Sequence, residues 1–494
     1  MIRIKTFRFL KLLPLAAFFC VLWPEAEVSA HSGKARFHIV IDTDAAADDL
    51  RTLCMLLGNR EAEVLAVTTS EGALTPAEAA RRVSALLDGF YHQGIPVGQG
   101  RSVGVAAPAW RAHSRAIDWG DTSVVTAPCP PASELIARTL EGEEEKVVFV
   151  ALGALTNLSD ALQSHPALGE RIERVVWYDG AAESLSGDNS RTDTAAARRV
   201  MESGIRMTVV AANPACPIVV TPALLNSIAT VPTAYAAKIV GTHRSAPLAD
   251  LIRRRHPQAW DDLAAVYLFR PDLFVAQAVS PTVEICTLPD EASAEEAQRT
   301  VLSILRGKPD SESRVFYGFP LWAECYAEDV APLIDTAVER HGPSEWRAGV
   351  LTNELHGHLG IYATVGVKMG IRAREYFNIG VDDIRVTSYA GLTPPVSCMN
   401  DGLQTSTGAT LGHGLIAVTE SDPPRPEAVF TFKDKTIRLR LKPEYADRIR
   451  LDVKKGIDRY GDLTEDYWQY VRALALQYWL DFDRHEMFEL HVEQ

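Results

Sequence analysis

Between Ile39 and Leu57 the chain changes its hydrophobic period within a few residues, and this change constrains the fold more than any other feature. Ile39-Val40-Ile41 is an apolar, β-branched run, the composition of a buried strand. It leads into Asp42-Thr43-Asp44-Ala45-Ala46-Ala47-Asp48-Asp49, which holds four carboxylates in eight residues. Beyond it, Leu50, Leu53, Cys54 and Leu57 fall on one face of a helix. The acids therefore sit on a strand-to-helix turn, the place where open α/β sheets bind their ligands.

Four acids crowded at one buried edge repel each other and raise each other's pKa unless a cation is present. A hard divalent ion answers that need. Calcium takes six to eight oxygens in irregular geometry, so carboxylates, a main-chain carbonyl and sugar hydroxyls can share it. Helix capping accounts for Asp48 and Asp49 at the positive end of a helix, but it does not require Asp42 and Asp44.

At 494 residues the chain exceeds one ordinary domain, and two are expected. Its formal charge of −14 argues against nucleic acid or an anionic membrane surface as partner. Residues 1–30 read as a secretory signal: Arg3, Lys5, Arg8 and Lys11 precede an apolar core from Leu12 to Leu22, and Val28-Ser29-Ala30 offers a cleavage site. The expected mature protein is periplasmic or secreted, without a membrane anchor, and carries a charge of about −16. Its six cysteines lack any CxxC spacing and read as core thiols or one or two bridges.

From Phe37 onwards strands and helices alternate, which predicts an α/β domain with a mostly parallel open sheet and flanking helices over residues 31–341. Asp42-Thr43-Asp44, three residues, then Asp48-Asp49 resembles the DxDxxxDD signature of the calcium-dependent, inosine-uridine-preferring nucleoside hydrolases; the family's Pro-Gly is Ala45-Ala46 here. Gly153-Ala154-Leu155-Thr156-Asn157-Leu158 is similar to the family's G-P-L-T-N-L turn, and Trp260-Asp261-Asp262-Leu263-Ala264 to its H-D-P-L-A helix. The resemblance implies calcium ligation by Asp44, Asp49, Asp261 and the carbonyl of Thr156. It also implies a water-activating role for Asp44 and ribose contacts from Asp48 and from Asn189, which precedes Asp193 as in the family's F-N-x-x-x-D segment. Trp260 replaces a histidine assigned as leaving-group acid, as in purine-preferring members. Trp110, in the aperiodic stretch from Gly98 to Cys129, either fills a core or offers a second stacking wall.

Gly342-Pro343-Ser344 marks the expected boundary to a smaller α+β domain over residues 342–494. Glu354-Leu355-His356-Gly357-His358-Leu359-Gly360 and Cys398-Met399-Asn400-Asp401-Gly402 resemble the FmdE-like family, named for a subunit encoded with molybdenum formylmethanofuran dehydrogenase. His356, His358 and Cys398 are candidate ligands for a transition metal such as zinc, although the family's cysteine after the HGH triplet is Gly360 here. The last stretch, from Pro443 to Glu489, reads as charged helices. The combined expectation is an exported hydrolase of small-molecule nucleosides, purine ones first, as a monomer or homo-oligomer. The alternatives are a nucleoside- or sugar-binding protein without turnover, or a metal-binding protein acting through its second domain.

Overall fold

The computed structural model describes residues 35–124, 128–180, 185–255, 261–307, 315, 318–381 and 383–493. The expected signal and Trp260 lie outside the described residues. The first sheet contains β1 (Phe37–Thr43), β2 (Ala62–Thr69), β3 (Val97–Gln99), β4 (Val147–Ala151), β5 (Ile172–Gly180), β6 (Met207–Ala211), β7 (Val275–Ala278) and β8 (Val283–Thr287). Their order is β3-β2-β1-β4-β5-β6-β8-β7, and every pairing is parallel except β7 with β8. The order reverses direction between β1 and β4, so a crevice opens beyond the carboxyl ends of these two strands.

Side-chain alternation explains why this sheet is buried on both faces. Ile39 and Ile41 enter one core with Val148 and Val150, while Val40 enters the other with Val147, Phe149 and Ala151. The register Asp42↔Thr68 and Asp42↔Ala151 then sets the first acid level with the ends of both neighbours. The helix Ala47–Gly58 follows at once. The next helix, Pro76–Gly89, starts at a capping box: Glu78 N donates to Thr75 Oγ1 at 3.4 Å and Thr75 N to Glu78 Oε2 at 3.1 Å.

A helix over Ile334–His356 breaks at Gly342, whose φ is 82°, a left-handed backbone conformation that suits glycine. Beyond it lies the smaller sheet of β9 (Arg385–Ser388), β10 (Ile416–Val418), β11 (Glu427–Phe432), β12 (Lys435–Leu441) and β13 (Phe488–Glu493), ordered β10-β9-β11-β12-β13. It has its own core, where Val386, Phe430, Ile437 and Leu439 meet Val365 and Met369 of the helix Ile361–Phe377. The charged helices expected near the end are present at Pro443–Tyr460 and Glu465–Asp481, but the chain finishes as the edge strand β13. Among the described residues no helix is long and apolar enough to cross a membrane. All six cysteines beyond residue 30 are unpaired thiols.

The second lobe grips the first at the amino-terminal edge of the parallel sheet. Lys433, in the β11–β12 hairpin, donates to Glu63 Oε1 at 2.5 Å and Glu143 Oε2 at 2.6 Å. His38 Nδ1 lies 3.4 Å from the same Glu143. Nearby, Gly94 N donates to Tyr376 O at 2.9 Å, and a Cβ on Gly94 would lie 2.6 Å from that carbonyl, so only glycine permits the approach.

Candidate functional site

Beyond Thr43 the chain turns sharply. Ala45 takes φ 60°, which L side chains adopt at a cost of about 1 kcal/mol, and local hydrogen bonds hold it there. Ala45 N donates to Thr43 Oγ1 at 2.9 Å, and that hydroxyl donates to Asp49 Oδ2 at 2.6 Å. Asp44 N donates to the same Asp49 oxygen at 3.0 Å. The turn thereby folds the start of the helix back over the end of β1.

Asp44 is buried, and its Oδ2 accepts from Ala73 N at 2.9 Å and its Oδ1 from Ala46 N at 3.2 Å. Gly72 makes this possible, since a Cβ there would lie 1.9 Å from Asp44 Oδ2. Asp42 lies one layer deeper and accepts at Oδ2 from Thr68 Oγ1 at 2.6 Å and Asn157 Nδ2 at 2.7 Å. Asn157 therefore orients an acid instead of capping the helix Thr156–Ser164, which has no side-chain cap. Thr156 is buried at the first position of that helix, and its Oγ1 donates to Asp193 Oδ2 at 2.8 Å.

Asp48 and Asp49, from the first turn of Ala47–Gly58, meet Asp261, which stands immediately before the helix Asp262–Phe269. The three offer carboxylate oxygens within 4.8 Å of one another. Burial is the largest cause pushing all three carboxyls above their ordinary range; the charges of Asp44 and Asp48 come next for Asp49, and those of Asp49 and Asp48 for Asp261. Asp44 is pushed up to about 7 by burial and by the charges of Asp48 and Asp42, and Asp42 to about 6 by burial. Oδ1 of Asp261 is buried and meets no hydrogen-bond donor among the described residues. Converging, repelling carboxylates with an unpartnered inward oxygen suit a hard divalent cation.

Asn189 is tied to the scaffold, its Nδ2 donating at 2.8 Å to both Leu152 O and Tyr178 O. That joins the ends of β4 and β5 and leaves its Oδ1 to accept. Trp110 is 46% exposed, so it fills no core. It precedes Arg111, whose Nη2 donates at 2.6 Å to Glu71 Oε1 and to Gly72 O. This staple ties the Trp110 segment to the turn that supports Asp44.

A buried group escaped the sequence reading. Arg51, one turn after Asp48, donates through Nε to Asp262 at 3.0 and 2.8 Å, and Thr52 Oγ1 adds a third bond to that carboxylate at 3.0 Å. Arg51 Nη1 lies 2.9 Å from His243 Nε2, and His243 Nδ1 lies 2.8 Å from Ile239 O. The sequence marks the members only singly, an arginine between Leu50 and Leu53 and the doublet Asp261-Asp262, with nothing local to pair them.

In the second lobe, His356 Nδ1 bonds Asp401 Oδ2 at 2.7 Å, its ring lies 4.3 Å from that of His358, and its buried Nε2 meets no hydrogen-bond partner among the described residues. That nitrogen would lie 3.0 Å from a Cβ on Gly360. Cys398 stands at the N-cap of the helix Met399–Thr407. Among the described residues, His356, His358 and Cys398 do not gather three donor atoms within 4.8 Å as the acids do. His38, Glu63 and Glu143 do gather so, but the ammonium of Lys433 already sits on both carboxylates.

Residues 39–316 match the family described as inosine-uridine preferring nucleoside hydrolase. Residues 355–489 match FmdE, molybdenum formylmethanofuran dehydrogenase operon. A pyrimidine-specific ribonucleoside hydrolase RihA of Klebsiella pneumoniae is 33% identical over 186 residues, which is 34% of this chain and 57% of the relative. One from Salmonella paratyphi A is 32% identical over 190 residues, covering 35% and 60%. The chain thus spans a little over half the length of the curated relatives it matches. Among solved structures, a purine-preferring ribonucleoside hydrolase from Gardnerella vaginalis is 17% identical with a TM-score of 0.44, covering 55% of this chain and 99% of that one. An inosine-uridine preferring nucleoside hydrolase from Bacillus anthracis is 20% identical with a TM-score of 0.45 over the same shares.

Proposed function

The chain belongs to the inosine-uridine preferring nucleoside hydrolase family, and from that premise we propose that it is an exported, calcium-dependent hydrolase of ribonucleosides. The observation that carries this reading is the meeting of Asp48, Asp49 and Asp261 within 4.8 Å on the turn that buries Asp44, beyond the carboxyl end of β1. Asp48, Asp49 and Asp261, with Asp44 and the carbonyl of Thr156, would hold the ion. When bound, it supplies concentrated positive charge that offsets the acids and attracts sugar and water oxygens.

The chain's own groups do the rest. N-glycosidic cleavage breaks the C1′–N bond with its electron pair leaving on the base, passes through an oxocarbenium-like sugar, and ends when water adds at C1′. Asp44, fixed by Ala73 N and Ala46 N, takes the proton from that water. Asp48 and Asn189 Oδ1 accept from the ribose hydroxyls. The departing base takes its proton from solvent, with Trp260 the stacking residue that the family resemblance implies and the exposed Trp110 the candidate second wall.

Trp110 and the Trp260-Asp261 pair support a purine base, whereas the curated relatives carry pyrimidine specificity in their names. A panel of inosine, adenosine, guanosine, uridine and cytidine, with and without chelator, tests the reading. Release of free base that stops on chelation is expected. A rate unchanged by Asp44→Ala would overturn it. Mass spectrometry of the exported protein, with a new amino terminus at His31, tests export.

A further inference from the structure

Asp48 and Asp49 come from one helix and Asp261 from the start of another more than two hundred residues later, so something must fix the gap between those helices. The joint lies one turn below the acids. Arg51 and Asp262 are both buried, with side chains 4% and 1% exposed. The guanidinium meets both oxygens of Asp262, Thr52 adds a third bond, and Arg51 reaches on to His243 of the helix Ala234–Arg244. Because Asp262 directly follows Asp261, any shift of this ion pair moves Asp261 relative to Asp48.

Stability does not account for the pair. Desolvating two charges costs as much as their attraction returns, and apolar residues of similar volume often serve equally well or better. What the contact adds is position: one Nε–H shared between both oxygens of Asp262, with Thr52 Oγ1 on the same carboxylate, ties the residue after Asp261 to the helix that carries Asp48 and Asp49. We propose that Arg51 and Asp262 are positioning residues for the cation site: their buried clamp sets the spacing of Asp261 against Asp48 and Asp49. This rests on the cation reading above and adds to it the residues that tune affinity. Groups that hold metal ligands in place typically change affinity by about 10–100-fold when replaced.

The test is calcium titration calorimetry on the full mature protein, using calcium alone, alongside melting in chelator. The double variant Arg51→Met/Asp262→Leu removes the clamp while filling its volume. It is expected to melt near the wild type in chelator, yet to bind calcium about 10–100-fold more weakly. If the double variant does not fold, Asp262→Asn, which keeps the shape and one acceptor, carries the same comparison with a several-fold loss. Wild-type affinity in the folded variant overturns the clamp and leaves the hydrolase reading intact. A wild-type protein that binds no calcium overturns both.

Discussion

Replacing Asp261 by asparagine should make the metal-free protein more stable, although it removes a buried, ordered side chain. The carboxylate oxygens of Asp48, Asp49 and Asp261 lie within 4.8 Å of one another, and at an effective dielectric of about 20 two full charges at that spacing repel by about 3 kcal/mol. Asp261 faces two such partners. Its Oδ1 accepts from no donor among the described residues, and the new amide can donate in place of the proton that Asp261 now shares with Asp48 and Asp49. Shared protons already relieve part of the repulsion, so about 2 kcal/mol is the expected gain at pH 8. The gain should shrink on acidification. Asp42 and Asp44 are raised in the folded state to about 6 and about 7 from an ordinary 3.8. Between those values the folded protein holds protons that the unfolded chain has released, so these two groups make stability fall as pH rises from about 4 to 7, and Asp49 and Asp261, raised well above their ordinary range, act in the same sense. For Asp42 alone that loss is roughly 3 kcal/mol. The assay is thermal melting at pH 5 and pH 8, in chelator and in saturating calcium. In chelator at pH 8 the variant should melt a few degrees above the wild type, and calcium should raise only the wild type, by about 3 kcal/mol at a hundredfold excess over its dissociation constant. A variant that melts below the wild type in chelator at pH 8, or that gains equally from calcium, would refute the reasoning.

Three further outcomes are expected. Gly72→Ala should abolish hydrolysis with little change in the far-ultraviolet circular dichroism, because the new Cβ would lie 1.9 Å from Asp44 Oδ2 and displace the acid. Asn189→Ala should raise KM and lower stability by about 1–3 kcal/mol in a denaturant melt, since the buried carbonyls of Leu152 and Tyr178 lose their shared donor. Lys433→Met should leave kcat unchanged and destabilise the protein. Burial raises Glu143 but His38 and Lys433 outweigh it and hold its carboxyl at about 2, so the wild type keeps this contribution above pH 4.5 and loses it towards pH 2, whereas the variant, which keeps only His38 there, should show a smaller acid-side step in its melting.

What could be read from sequence was what lies contiguous in it. The passage from Ile39 to Leu57 names its own strand, turn and helix because the hydrophobic period switches there, and the acids mark the turn directly. Asp261 was legible only through its motif, since nothing local says that a helix start near residue 261 reaches one near residue 47. Arg51, His243 and Asp262 were not legible as a group. Each alone reads as a surface charge or a cap, and only the packing of three helices brings them together. Thr156 and Asn157 carried a capping pattern, but the side chains bond Asp193 and Asp42 across the sheet edge, a tertiary choice that overrides the local one. The closing strand β13 was hidden by its charges, although Phe488, Leu490 and Val492 alternate at the strand period.

The Lys433 contact has a geographical consequence. His38 and Asp44 are six positions apart along one extended segment, which places the seam of the two lobes about 20 Å from the acids, at the far end of the same rod. A molecule wedged under the hairpin would never touch a nucleoside, yet it would push on the base of the strand that carries the acidic turn. Compounds selected to pry the halves apart need not resemble a nucleoside, and resistance to them would map to residues that substrate analogues leave untouched.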